Sequence, residues 1–233
     1  MIADLSKFIT LYFAPVLSLT ALLLSLFAYL SPTLVFQSQV SLLTVAPSLS
    51  LTNPQATQGI DGPTLFLGAL GSCSRSQNEA PVQCTLPSLS PVYDLSVLPK
   101  NTPDLLTAPT ATTPAFIAVA LAFATVFFLL FTLTSFRGKL PGKMSAVLDK
   151  PALHRFVAWI GLFGFMIGLT SFLIIRMWFG KAVEDFNQTI IEQGSNAPQL
   201  VASTSNGFIM VYVAYAFYAI PLVCAMSKLH VAA

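Results

Sequence analysis

Four apolar runs dominate the chain, at about 11–36, 114–136, 156–179 and 208–226. A helix needs roughly 20 apolar residues to cross the hydrocarbon core of a bilayer, and each run meets that length. The first exceeds the roughly 7–15 residues of a signal-peptide core and no small-x-small cleavage pattern follows it, so it reads as a retained helix. Between the first two runs, 37–113 is rich in Ser, Thr and Pro and lacks helical periodicity. Its stretch 34–45 shows partial period-two alternation with β-formers, and Thr64-Leu65-Phe66-Leu67 and Val82-Gln83-Cys84-Thr85-Leu86 are short strand candidates. Thr52-Asn53-Pro54-Gln55 and Gly59-Ile60-Asp61-Gly62-Pro63 read as turns between them. The pattern predicts an all-α transmembrane four-helix bundle with a small antiparallel β ectodomain. After the sheet, 91–114 returns irregularly to the membrane, and 180–207 forms a second, shorter loop.

Composition strengthens this reading. Of 233 residues, 55% are hydrophobic and 9% charged, against roughly 25% charged in soluble domains. The net charge of +2 is small and dispersed, unlike the clustered Lys, Arg and stacking aromatics that bind nucleic acid. Basic residues near helix ends set orientation. With the N-terminus inside, the cytoplasmic side holds Lys7, Arg137, Lys139, Lys143, Lys150, Arg155 and Lys228, and the other side holds Arg75, Lys100, Arg176 and Lys181. The short loop 137–155 carries most of the excess, so 1–10, 137–155 and 227–233 are expected in the cytoplasm. Its cations would meet anionic lipid head groups, each worth roughly 1 kcal/mol near the surface.

Cys73 and Cys84 flank a polar stretch of the first loop, in a compartment that this topology makes oxidising. A disulfide there would contribute roughly 3 kcal/mol by closing a short loop. Two free thiols are the alternative. Both histidines, His154 and His230, fall on the opposite side, which leaves the pair without further metal ligands.

Gly68-Ala69-Leu70-Gly71-Ser72-Cys73, ten residues and then Cys84 resembles the Gly-Leu-Trp-x-x-Cys…Cys signature of claudin-like tetraspan proteins, with Ala69 and Leu70 at the places of Leu and Trp. The order of parts is similar too: four helices, inside termini, a long first outer loop and a shorter second one. Within that superfamily the Ser/Thr/Pro-rich loop is most similar to the fungal Sur7/PalI group of plasma-membrane proteins. The resemblance implies a Cys73–Cys84 disulfide inside an outer sheet. It also implies a non-enzymatic scaffold or membrane-domain organiser whose partners are lipids, sterol, other integral membrane proteins or further copies of itself.

On the third run, Gly161, Gly164, Gly168 and Ser171 share one face and admit a close neighbouring backbone; packing inside the bundle and a homodimer face are the two readings. Arg176 beside Trp178 suits an interfacial anchor. Tyr212, Tyr215 and Tyr218 form a stripe that either packs internally or meets sterol or a partner helix. Ionisable residues are nearly absent from the runs, which argues against catalysis and against an independent channel. No cofactor is expected, and haem lacks a histidine within any run. Asn187-Gln188-Thr189 is an N-glycosylation acceptor triplet in the second outer loop, and Cys224 is either a buried thiol or an acylation site. The competing function is an accessory subunit of a larger membrane enzyme or transporter, such as a cell-wall synthase or an ion pump.

Overall fold

The computed structural model describes residues 9–51, 60–139 and 141–231. The expected turn at 52–55, Gly59 and the cation Lys7 lie outside the described residues, as do the side chains of Lys143, Lys228 and His230. Among the described residues four long helices form: α1 (Ala14–Leu30), continued from a π-helical turn Ile9–Phe13, α2 (Thr112–Ser135), α4 (Pro151–Gln193) and α5 (Asn206–Val231); the short α3 (Gly142–Leu148) lies between α2 and α4. Their spans Leu11–Leu30, Thr112–Ser135, Pro151–Gln193 and Asn206–Ser227 are long and apolar enough to cross a membrane. The chain is a multi-pass membrane protein.

Local chemistry places the helix boundaries. Pro151 opens α4 and Pro114 sits in the first turn of α2, where a missing N–H costs no helical bond. Pro32 follows the end of α1, and proline disfavours helical geometry in the residue before it. Asn206 begins α5 with its amide spent on the neighbouring chain, accepting from the Ser41 N–H at 3.4 Å and donating to the Gln39 carbonyl at 2.7 Å.

Two compact units make up the chain. One comprises 1–26, 116–170 and 210–233, and its core gathers Ala14, Ala21, Phe127, Phe131, Val157, Ala158, Tyr218 and Ala225. Alanines on α1 and α5 leave room for the rings: Phe127 stacks on Phe131 at 5.4 Å and meets Tyr218 at 5.2 Å. Large apolar side chains such as Phe163, Met166 and Ile209 stay exposed on the helices, as surfaces solvated by lipid tails do.

The other unit comprises 27–115 and 171–209 and holds the sheet. Strands β1 (Leu43–Pro47), β2 (Thr64–Leu67), β3 (Ser72–Arg75), β4 (Gln83–Cys84) and β5 (Leu200–Thr204) lie in the order β4-β3-β2-β1-β5, and every pairing is antiparallel. The first four strands form a meander. The fifth arrives from beyond α4 and pairs Leu43 with Thr204 through to Pro47 with Leu200. Strands from two separate connections therefore share one sheet. All four residues of β2 are buried, as befits the centre of a five-stranded order.

The sheet departs from the sequence pattern in three places. Helix α1 stops at Leu30, and 34–40 forms turns in which Phe36 adopts φ 52° and accepts from both Gln39 and Val40, so only the end of the alternating stretch becomes a strand. The region 180–207 is no loop: α4 runs on to Gln193, buries Phe186 and Ile190, and leads to β5. Strand β3 forms from Ser, Cys, Ser and Arg, residues without strong strand preference, because β2 and β4 pair it on both edges.

Candidate functional site

Gly68 sits where the meander meets the end of α1. A Cβ on Gly68 would collide with the carbonyl oxygen of Ser31 and stand 2.5 Å from Pro32 Cδ, so only hydrogen fits. Its N–H donates to the Gly71 carbonyl at 2.9 Å, and its carbonyl accepts the Tyr93 hydroxyl at 2.8 Å. Burial pushes the Tyr93 hydroxyl well above its usual range, since the anion has no water there. Leu70 is buried and its carbonyl accepts the Ser88 N–H. Gly71 has the same tightness: an added Cβ would lie 2.6 Å from Thr85 Oγ1 and 2.9 Å from Thr33 Cγ2. Asp94, which follows Tyr93 in sequence, is held below the usual carboxylate range by hydrogen bonds from Ser96.

Cys73 and Cys84 are directly opposed on β3 and β4 and form a disulfide. Strand β4 has only one other register pair, Ser74 with Gln83. So short a strand is marginal by itself, and the covalent bridge is what keeps it at the edge of the sheet. Beyond the bridge, Arg75 lies over the Phe66 ring at 5.7 Å and donates to the Asn78 carbonyl, while Asp61 accepts the Asn78 N–H at 2.8 Å.

The glycine face of α4 is filled from within its own unit. A Cβ on Gly161 would stand 2.6 Å from two ring carbons of Phe127; on Gly164, 3.1 Å from Phe123 Cβ and 3.3 Å from the Ala124 nitrogen; on Gly168, against the Tyr215 hydroxyl and 3.0 Å from Ala120 Cβ. The Tyr218 hydroxyl donates to the Gly161 carbonyl at 3.2 Å. Helices α2 and α5 thus take the close approach that glycine permits. Ser171, one turn further along, is buried. The tyrosine stripe divides: Tyr218 is buried, Tyr215 half-buried and Tyr212 exposed. A cavity with room for about one water lies among Ser25, Ala124, Gly164, Tyr215 and Tyr218. Replacing Gly161 by Leu should lower stability in detergent by about 1–3 kcal/mol, because the fully buried Phe127 ring cannot move aside. Thermal unfolding measures this; loss of self-association at unchanged stability would instead mark a homodimer face.

The basic segment is partly committed to the protein itself. Arg137 Nε pairs with Asp149 at 2.8 Å, and Arg137 Nη1 lies 3.2 Å from His154 Nε2. Lys139 sits over the rings of Tyr12 and Phe136 at 5.5 and 5.7 Å, tying the start of α1 to the end of α2. Lys150 and Arg155 are exposed and remain available to head groups. Arg176 covers the Phe208 ring at 5.4 Å, and the Trp178 indole donates to the Thr107 carbonyl at 3.1 Å. Cys224 is half-buried on α5.

Sequence reasoning missed the part played by Asn187. Its Nδ2 donates to the Ala202 carbonyl and its Oδ1 accepts the Ala202 N–H, both at 2.9 Å. Strand β5 was equally hidden, because Leu-Val-Ala-Ser-Thr has little alternation and follows a polar stretch. No family model matches the chain, and no curated protein matches it.

Proposed function

We propose that the chain is a non-enzymatic tetraspan scaffold, an organiser of plasma-membrane domains of the Sur7/PalI type among claudin-like proteins, with both termini cytoplasmic and the stapled sheet outside. The observation that carries this reading is the five-stranded sheet itself: it draws strands from two separate connections between the four apolar helices and is closed by a single disulfide. Around the spans, exposed Phe, Met and Ile side chains offer surface for lipid, sterol or neighbouring membrane proteins, and Lys150 and Arg155 offer charge for anionic head groups. With the glycine face filled internally, lateral association uses large apolar side chains instead.

Extraction from the membrane directly into native nanodiscs, followed by mass determination, tests the proposal. An organiser yields several copies of this chain with retained lipid. One larger protein in fixed stoichiometry, with no self-association, would replace it by the accessory-subunit reading.

A further inference from the structure

Strand β5 is the last strand of the sheet, paired on one side only, with β1. In an antiparallel ladder alternate residues turn both backbone groups toward the neighbour or both away from it. Ala202 is one of those whose N–H and C=O meet no strand: both groups go to the side chain of Asn187 on α4, at 2.9 Å each. Ala202 is 2% exposed, so water does not replace that partner, and a buried backbone group left unpaired is strongly unfavourable. Phe186 and Ile190, either side of Asn187 on α4, are fully buried, which fixes the helix face that presents the amide.

The same asparagine opens the acceptor triplet Asn187-Gln188-Thr189. Sugar attachment forms a bond from Nδ2 to the C1 of the sugar and removes one Nδ2 proton, the lipid-linked diphosphate of the donor departing. The product is a secondary amide, which strongly prefers its substituent trans to Cβ, hence on the same side as Oδ1. That is where the hydrogen given to Ala202 points, because Oδ1 and Nδ2 serve one residue from one edge of the amide. Two further facts oppose a sugar here. The triplet lies inside a continuous helix rather than in a surface loop, and the Thr189 hydroxyl is turned back to the Asp185 carbonyl at 2.8 Å.

We propose that Asn187 is a clasp that closes the free edge of β5, and that a sugar on Asn187 and this closure exclude one another, so the folded chain carries no glycan there. The clasp has a consequence for partners as well: β5 does not accept an added strand at Ala202.

Hydrogen exchange of the full chain in nanodiscs tests the clasp. Asn187→Asp keeps the acceptor but faces the Ala202 carbonyl with no hydrogen, and exchange at Ala202 should accelerate by roughly tenfold or more. Thr189→Ala destroys the triplet, keeps the clasp and should leave exchange unchanged. Equal protection in wild type and Asn187→Asp would overturn the proposal. In secretory cells, Ala80→Thr creates an acceptor at Asn78 in the exposed turn before β4 and reports whether the sheet side meets the glycosylation machinery. Where that site gains a sugar, the folded wild type should show none at Asn187 after endoglycosidase treatment. A glycan at Asn187 on protein whose Ala202 amide stays protected would also sink the idea. If Asn78 gains none, the exchange comparison decides alone.

Discussion

Gly68→Ala is expected to remove most of the folded sheet-bearing unit from the membrane, at a cost of about 3 kcal/mol, the upper end for overpacking. The obstacles are what make the substitution severe. The added methyl meets the Ser31 carbonyl and the Pro32 ring, which belong to the backbone at the end of α1 and cannot rotate away as a flexible side chain would. The alternative is to displace Gly68, and that breaks the Gly71 and Tyr93 hydrogen bonds at 2.9 and 2.8 Å. Gly138 is the matched control: nothing lies within 4 Å of its added Cβ, and Gly138→Ala should stay within about 0.5 kcal/mol of wild type. Urea unfolding in detergent, read by protease resistance of the sheet, gives the difference. If the two variants proved equally stable, the approach of Gly68 to α1 would be looser than described.

Loss of the disulfide should cost about 3 kcal/mol in the chain-entropy account, and the cost should appear in full with the first cysteine removed. Cys73→Ala, Cys84→Ala and the double variant are then expected to unfold at nearly the same urea concentration, because each abolishes the one bridge. Alanine is the better replacement at Cys73, which is 1% exposed and would bury a serine hydroxyl. Wild type held in reductant should match the double variant. Clearly additive losses would mean that the two residues act through separate contacts.

The features legible in the sequence were those carried by a strong local pattern. Four long apolar runs gave helices, and Thr64–Leu67, a short run between Pro63 and Gly68, became a central strand. The glycine spacing on α4 marked the face where α2 and α5 come closest. Hydropathy alone hid the rest of α4. Lys181, Glu184 and Asp185 lower the apolar average after Phe179, yet Phe179, Phe186 and Ile190 are all buried at helical spacing, and Lys181 pairs with Asp185 at 2.7 Å one turn on. Periodicity, rather than mean polarity, was the signal to follow there. Strand β5 owes its form to β1, a partner distant in sequence, and β3 to neighbouring strands that pair it on both edges, so the residue preferences of neither segment announce a strand. At Asn187 a familiar modification triplet drew attention away from an amide that serves the backbone. Among the basic residues, charge counting did not distinguish Lys139, whose amine lies over two rings, from Lys150, although both are exposed.

The late arrival of β5 also sets a timetable for biosynthesis. Leu43 and its partner Thr204 are separated by roughly 160 residues, which at about 5–20 residues per second takes on the order of ten to thirty seconds to synthesise. Throughout that interval the nascent chain presents the open edge of β1, a row of unpaired N–H and C=O groups that invites wrong pairing. A ribosome stalled after α4 would leave that edge uncovered. The sheet therefore reports, by the state of one edge, whether synthesis has passed β5, and a chaperone that binds open strands would release only chains that already carry it.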